Sequence, residues 1–280
     1  MTPLVSVCIP VYNGERHLGE AIASVLAQTL ADFELIVMDN VSTDATAAIA
    51  EAFDDPRIRV ERPAEHVDVI ANWNRATALC TGRYVKLLCH DDTIAPGCLE
   101  LQVAALEASP GAAMVACRRD ITDEHGHVLL AGRGLAGLNG YVDGAEAIVR
   151  SVRAGTNIFG EPASVLLRGD VLRAIGPWSG DFPYCVDVEL YFRMLEAGGL
   201  LALPVTQAIF RTHAGSWSAA VQADQARQSR QLFEAWAARP GSRVRRRDVL
   251  LGAARAEQLK LGRRVVLSSW FRRLRTRGAA

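Results

Sequence analysis

Phe33-Glu34-Leu35-Ile36-Val37-Met38-Asp39 is a short apolar run that stops on a carboxylate. Its length and branched side chains read as a strand buried on both faces. A second run follows the same plan, with Tyr84-Val85-Lys86-Leu87-Leu88-Cys89 leading through His90 into the pair Asp91-Asp92. A buried ion is costly unless something pairs it, so acids at such strand ends contribute nothing to a core. In open α/β sheets that edge is where ligands bind. Adjacent carboxylates there repel, and a divalent cation that prefers hard oxygen ligands relieves the repulsion and can hold a phosphate.

Around these runs the first half alternates short strands with helical patterns. Leu4–Pro10 reads as a strand, and Glu15–Gln28 as a helix with Leu18, Ala21, Ile22, Val25 and Leu26 on one face. Ser42-Thr43-Asp44 caps a helix over Ala45–Phe53, and Arg57–Glu61 is a short strand. Asp68–Cys80 is helical and ends before Gly82, Arg83–Cys89 is the next strand, and Pro96 opens a helix over Gly97–Ala108. Ala112–Arg118 closes the series. The alternation predicts an α/β protein with a mostly parallel, Rossmann-like sheet flanked by helices.

The second half is less regular. Asp120–Leu130 reads as a hairpin and glycine-rich Gly132–Gly140 as a mobile surface loop. Ala163–Leu167 reads as a strand, Val188–Ala197 as a helix and Leu200–Arg211 as extended chain. Helical pattern resumes from Ala219 and is broken at Pro240-Gly241. The expected division is 1–218, with a nucleotide-binding half 1–118 and an acceptor half 119–218, followed by a basic helical extension 219–280.

Half of the 280 residues are hydrophobic and 22% are charged, which excludes a disordered chain. The net charge is zero but unevenly spread. Residues 239–280 carry 13 basic and two acidic side chains, a balance of +11, and the other 18 basic and 29 acidic ones give −11. Arg243, Arg245, Arg246 and Arg247 precede an amphipathic stretch with Leu250, Leu251, Ala254, Leu259 and Leu261, and Trp270-Phe271 sits among further arginines. Residues 243–280 therefore suit an interfacial helix on an anionic membrane. A terminal helix packed on the acidic body is the alternative, and nucleic acid is disfavoured because no recognised module accompanies the charge. The six cysteines form no C-x-x-C pair, so reduced thiols in a cytosolic protein are expected rather than zinc or disulfides. With no secretory signal and no transmembrane run, the expected place is the cytoplasm, with peripheral contact on the inner face of the cytoplasmic membrane.

The blocks Val5–Gly14, Ser24–Thr29 and Asp32–Asp44, with Asn72-Trp73-Asn74, Gly82–Val85, Asp91–Pro96 and Val186–Arg193, closely resemble the family 2 glycosyltransferases. That family has the GT-A fold, and the resemblance runs over about residues 4–215. It implies an inverting transfer from a nucleotide-diphosphate sugar to an acceptor hydroxyl in cell-surface glycan or polysaccharide synthesis. The implied nucleotide-sugar ligands are Pro10, Tyr12, Asn13, Asp39, Asn74, Asp91 and Asp92. Tyr12 offers a stacking face, and Asp39 can accept from a ring N–H of the base.

In the family's metal motif, Asp-x-Asp, the first aspartate of the commoner form is missing here; the resemblance gives Asp91 to sugar hydroxyls and Asp92 to Mg²⁺ or Mn²⁺. His213, in the segment that closes over the diphosphate, is a further metal candidate. Asp187 matches the general base, and the glutamate usual before it is Val186, a less polar neighbour expected to raise the base's pKa. Asn157, Gly160, Pro162 and Ser164 match the stretch lining the acceptor side, where a saccharide or lipid-linked saccharide would sit. The rivals are a sugar-phosphate nucleotidyltransferase, which would want a glycine-rich basic loop after the first strand, and a non-catalytic module binding nucleotide sugars or membranes. Donor sugar, base, linkage and oligomeric state stay open.

Overall fold

A computed structural model describes residues 2–213 and 215–260. The elements run β1 (Val5–Val11), α1 (Leu18–Leu26), β2 (Phe33–Asp39), α2 (Thr46–Glu51), β3 (Ile58–Glu61), α3 (Val69–Ala78) and β4 (Tyr84–Leu87). They continue through β5 (Thr93–Ile94), α4 (Cys98–Ala108), β6 (Ala112–Thr122), β7 (Val128–Arg133), β8 (Gly140–Val142), α5 (Gly144–Ala154), β9 (Val165–Arg168) and α6 (Gly169–Ile175). Next come α7 (Val186–Ala197), β10 (Gly199–Arg211), α8 (Trp217–Val221) and α9 (Gln225–Ala237), and residues 246–260 are helical.

The sheet order is β3-β2-β1-β4-β9-β6-β10-β5, with β7 beside β6 and β8 beside β10. The first four strands are parallel, so their carboxyl ends share one edge. β9 is inserted antiparallel between β4 and β6, and β6 pairs in parallel with β10. Helices cover both faces, and the strands serve both at once. Val5, Val7 and Ile9 of β1 face Ile22 and Val25 of α1, while Cys8, Ile36 and Met38 belong to the opposite core with Trp73 and Ala76 of α3. Two-sided burial explains why these runs lack alternation in sequence.

Several expectations change. The boundaries at 118/119 and 218/219 fall inside β6 and α8, because hydrogen-bonded elements run across them. Gly132–Gly140 is no free surface loop, since Leu135 and Leu138 are buried in the core and Leu135 N–H donates to the Ile158 carbonyl. In the extension, the helix of residues 246–260 approaches α5 at Gly252 and Ala256, with Val249 buried, while Leu250 and Leu251 stay outside that contact. A Cβ on Gly252 would stand 2.0 Å from the Val152 carbonyl oxygen, so only glycine allows that approach. Arg153 pairs with the buried Asp248 at 2.7 Å. Leu250 and Leu251 remain 59% and 42% exposed, so the apolar face expected as a unit is only partly formed. Leu261 and Trp270-Phe271 lie outside the described residues. No helix among the described residues is long and apolar enough to cross a membrane.

Candidate functional site

At the ends of β1 and β2, Val11 and Asp39 are register partners. Pro10 is buried within β1, and Tyr12 just beyond it is 45% exposed with its ring 4.4 Å from that of His66. Asp39 is buried; its Oδ1 accepts from Ser42 N–H at 3.1 Å. Its Oδ2 has no hydrogen bond and only the guanidinium of Arg62 at 3.4 Å. Asn13 braces the loops, its Oδ1 accepting from Thr43 N–H at 2.9 Å while its own N–H donates to Ser42 Oγ. Both loops are held in left-handed backbone, Asn13 at φ 49° and Val41 at φ 61°. For a β-branched residue that costs on the order of 1–3 kcal/mol, the kind of strain that clusters at ligand sites.

Beyond β4 the acid pair is almost fully buried. Asp92 Oδ1 accepts from Arg211 N–H at 3.0 Å, and its buried Oδ2 has no partner. Asp91 Oδ2 meets His213 Nε2 at 3.0 Å, and its carbonyl accepts from Arg211 Nε. Arg211 also pairs with Glu20 of α1. Burial and the neighbouring Asp91 push the Asp92 carboxyl well above the usual range. Burial acts upward on Asp91 too, but the His213 bond and the His90 and His213 imidazoles bring it below its ordinary value. A single cation facing Asp92 would supply the charge that its orphan oxygen lacks. Ligand atoms of Cys89, Asp91 and Asp92 all lie within 4.8 Å of one another, so the donor set fits a divalent ion. His213 is engaged with Asp91 rather than with Asp92. His17 lies behind, its ring 5.7 Å from that of His213 and its nitrogens without partners, kept neutral chiefly by burial and then by Arg211.

Asp187 lies in the first turn of α7. Burial first, and the charge of Glu161 second, raise its carboxyl to about 7. Val186 is buried beside it, but the stronger neighbour is an acid from another element. Asn157 Nδ2 donates to Asp187 Oδ2 at 2.7 Å and to the Gly160 carbonyl at 2.8 Å, while its Oδ1 accepts from the N–H groups of Phe159 and Gly160. Gly160 has φ +99°, which a residue with a side chain rarely adopts. That turn delivers Glu161, which the buried Arg119 of β6 grips with both its Nε and its Nη2. Lys86, fully buried in β4, holds the next residues by donating to the carbonyls of Ala163 and Val165. The Cys89 thiol is pushed up by burial and then by the charges of Asp92, Asp91, Asp187 and Glu161.

Three expected ligands are placed otherwise. Asn74 exchanges both amide bonds with the backbone of Trp178, at 3.0 and 2.8 Å, so it staples α3 to the segment after α6 rather than facing a ligand. Pro162 and Ser164 are buried in a tight turn, where they carry Glu161 instead of forming a wall. Arg211 enters the sequence reading only as part of the segment that resembles the one closing over the diphosphate, and Glu161, Arg119 and Cys89 do not stand out there as site residues. Their only signals there are a glutamate between glycine and proline, and residues at the far ends of apolar runs.

The sequence matches Glycosyl transferase family 2 over residues 6–159. It is 28% identical over 205 residues to the putative glycosyltransferase EpsE of Bacillus subtilis, covering 70% of this chain and 68% of that one. It is 34% identical over 103 residues to the Escherichia coli UDP-Glc:alpha-D-GlcNAc-diphosphoundecaprenol beta-1,3-glucosyltransferase WfgD, covering 37% of this chain and 41% of that one. The crystal structure of S. aureus TarS 1-349 in complex with UDP-GlcNAc superimposes with a TM-score of 0.68 at 16% identity, covering 90% of this chain and 71% of that one. At that identity the likeness speaks for the fold.

Proposed function

The chain belongs to glycosyl transferase family 2 and has the GT-A fold, and from that premise we propose that it is an inverting glycosyltransferase using a nucleotide-diphosphate sugar. The observation that carries the reading is Asp187, a half-buried carboxyl raised to about 7 by desolvation and the charge of Glu161, and oriented by Asn157. A base with a pKa near the working pH combines the ionised form with a useful driving force for proton transfer.

The nucleotide base lies against the Tyr12 ring, with its ring N–H directed to Asp39 Oδ2 once Arg62 moves aside. The UDP-GlcNAc held by TarS, which shares the fold, supports a uridine diphosphate donor. Asp91, fixed by His213 and Arg211, accepts from sugar hydroxyls. A Mg²⁺ or Mn²⁺ ion on Asp92 would supply Lewis-acid neutralisation of the charge on the departing diphosphate. Asp187 takes the proton of the acceptor hydroxyl as that oxygen attacks the anomeric carbon from the face opposite the leaving group. One displacement inverts the centre, and no covalent intermediate is required. The acceptor is a saccharide of a surface glycan, lipid-linked by analogy with the substrate named for WfgD. Exposed Leu250 and Leu251, beside Arg247, support a shallow contact with an anionic membrane.

UDP release from UDP-GlcNAc, UDP-Glc and further nucleotide sugars, measured with Mn²⁺ in the wild type and in Asp92→Ala, tests the reading. Metal-dependent turnover abolished by the substitution is expected. If no nucleotide sugar is turned over and none raises the melting temperature, the reading is wrong.

A further inference from the structure

The thiol of Cys89 has no part in the reaction as described, yet it stands among the groups that hold the cation. Of the six cysteines, five are buried and only Cys89 is partly exposed. Its Sγ and one oxygen each of Asp91 and Asp92 lie within 4.8 Å of one another, a separation one ion can bridge. Independently, Asp92 Oδ2 is fully buried with no hydrogen-bond partner. A buried carboxylate oxygen left unpaired in native structure calls for a partner from outside the chain, and beside a second acid that partner is a cation. Asp91 already offers one oxygen to His213, which limits how many hard donors it can contribute. The third donor of the group is the Cys89 sulfur.

We infer that Cys89 is a direct ligand of the cation held by Asp92, making a mixed thiolate–carboxylate site that ranks Cd²⁺, Zn²⁺ and Co²⁺ above Mg²⁺. Soft thiolate favours these ions, whereas Mg²⁺ wants an oxygen shell and gains little from sulfur. On binding, the Cys89 S–H bond breaks, its proton leaves to water and the sulfur electron pair is donated to the ion. No oxidant or reductant takes part. The inference rests on the assignment of Asp92 as a metal ligand and adds to it the identity of the ion.

The test uses the full chain, freed of metal by chelation and titrated with Cd²⁺ alone. Ultraviolet absorbance reads the thiolate-to-metal charge-transfer band, and competition reads Mg²⁺ affinity. The wild type is expected to develop the band, and Cys89→Ser to lose it with at least a tenfold weaker Cd²⁺ affinity. Mg²⁺ affinity is expected to change less than threefold. The five buried cysteines are common to both proteins, so the difference isolates position 89. The ¹¹³Cd resonance of the unsubstituted protein gives a reading that needs no variant, since a sulfur donor moves it far downfield of an all-oxygen site. A band and affinity unchanged in Cys89→Ser, or a resonance in the all-oxygen range, overturns the inference. Such a result leaves the glycosyltransferase reading standing, because that reading stands or falls on UDP release and its loss in Asp92→Ala.

Discussion

Asp39 ends its strand with one oxygen bonded to the loop it precedes and an exposed arginine over the other. Asp187 sits instead in the first turn of α7, under the charge of a second acid and with one asparagine amide holding an oxygen. The first acid is positioned by the end of its strand and one backbone N–H of the loop that follows, so whatever it binds is recognised by placement. The second is positioned by a network of side chains, Glu161 against the buried Arg119 and Asn157 across to Asp187, so its environment sets its proton affinity as well as its place. Under the proposed function the contrast separates a binding edge, at Asp39, from a reacting edge, at Asp187, and substitutions on the two sides are expected to fail in different ways.

The largest effect belongs to the reacting edge. Asp187→Asn is expected to keep donor affinity and lower turnover by about a hundredfold or more, the scale of general-base catalysis. Its stability moves the other way. An unfolded aspartate titrates near 3.9, whereas Asp187 in the fold titrates at about 7. The protonated form is therefore favoured by folding. That contribution is whole below about pH 4 and is lost as pH rises through about 7. Asparagine carries no such loss, so the variant is expected to melt at least about 2–4 °C higher at pH 8 and close to the wild type at pH 4. Unchanged turnover would remove Asp187 from the chemistry.

On the binding edge, Asp39→Ala is expected to raise the donor KM about tenfold to a hundredfold, the cost of a lost hydrogen bond to a charged group. Turnover at saturating donor should hold within a few-fold. A fall in kcat with KM unmoved would erase the distinction between the edges. Asn157→Ala lies between the two in mechanism and gives a smaller loss, about tenfold at pH 7, by the same hydrogen-bond scale. The amide bond favours the ionised carboxylate, so its removal raises the Asp187 pKa. The rising limb of kcat against pH is expected to move to higher pH, with most of the rate recovered there. A uniform loss at every pH would mean that Asn157 only supports the turn.

The binding edge is readable from sequence because each of its acids follows directly on a run whose length and branching announce a buried strand. Asp39 and Asp91-Asp92 inherit their place from Phe33–Met38 and Tyr84–Cys89. The reacting edge is legible in one residue, Asp187, and there only by resemblance. Its partners come from afar: Asn157 is 30 positions away, and Arg119 reaches Glu161 across 42. No local period records such contacts. The same holds for Asn74, whose motif looks like a ligand while its amide closes on a backbone 104 residues on. Glycine at 160 is explicable only once φ is known, and Lys86 interrupts an apolar strand for no visible reason until its ammonium is seen on two carbonyls.

The smallest effect is expected farthest from either edge, on the helix of residues 246–260. Gly252 and Ala256 meet the end of α5 and Val249 is buried, whereas Leu250 and Leu251 are exposed. Exposed leucines removed from a helix change stability by no more than about 0.5 kcal/mol, so Leu250→Ser with Leu251→Ser should leave the melting temperature and UDP release unmoved. Two leucines beside arginines do add apolar burial when a charged surface comes near. Co-sedimentation of the full chain with vesicles containing phosphatidylglycerol is therefore expected to fall in the double variant and to fall further in high salt. Equal sedimentation of both proteins would assign those leucines to nothing but the surface. Any attraction to anionic vesicles would then belong to the arginines alone, which are screened within about 10 Å at 0.1 M salt.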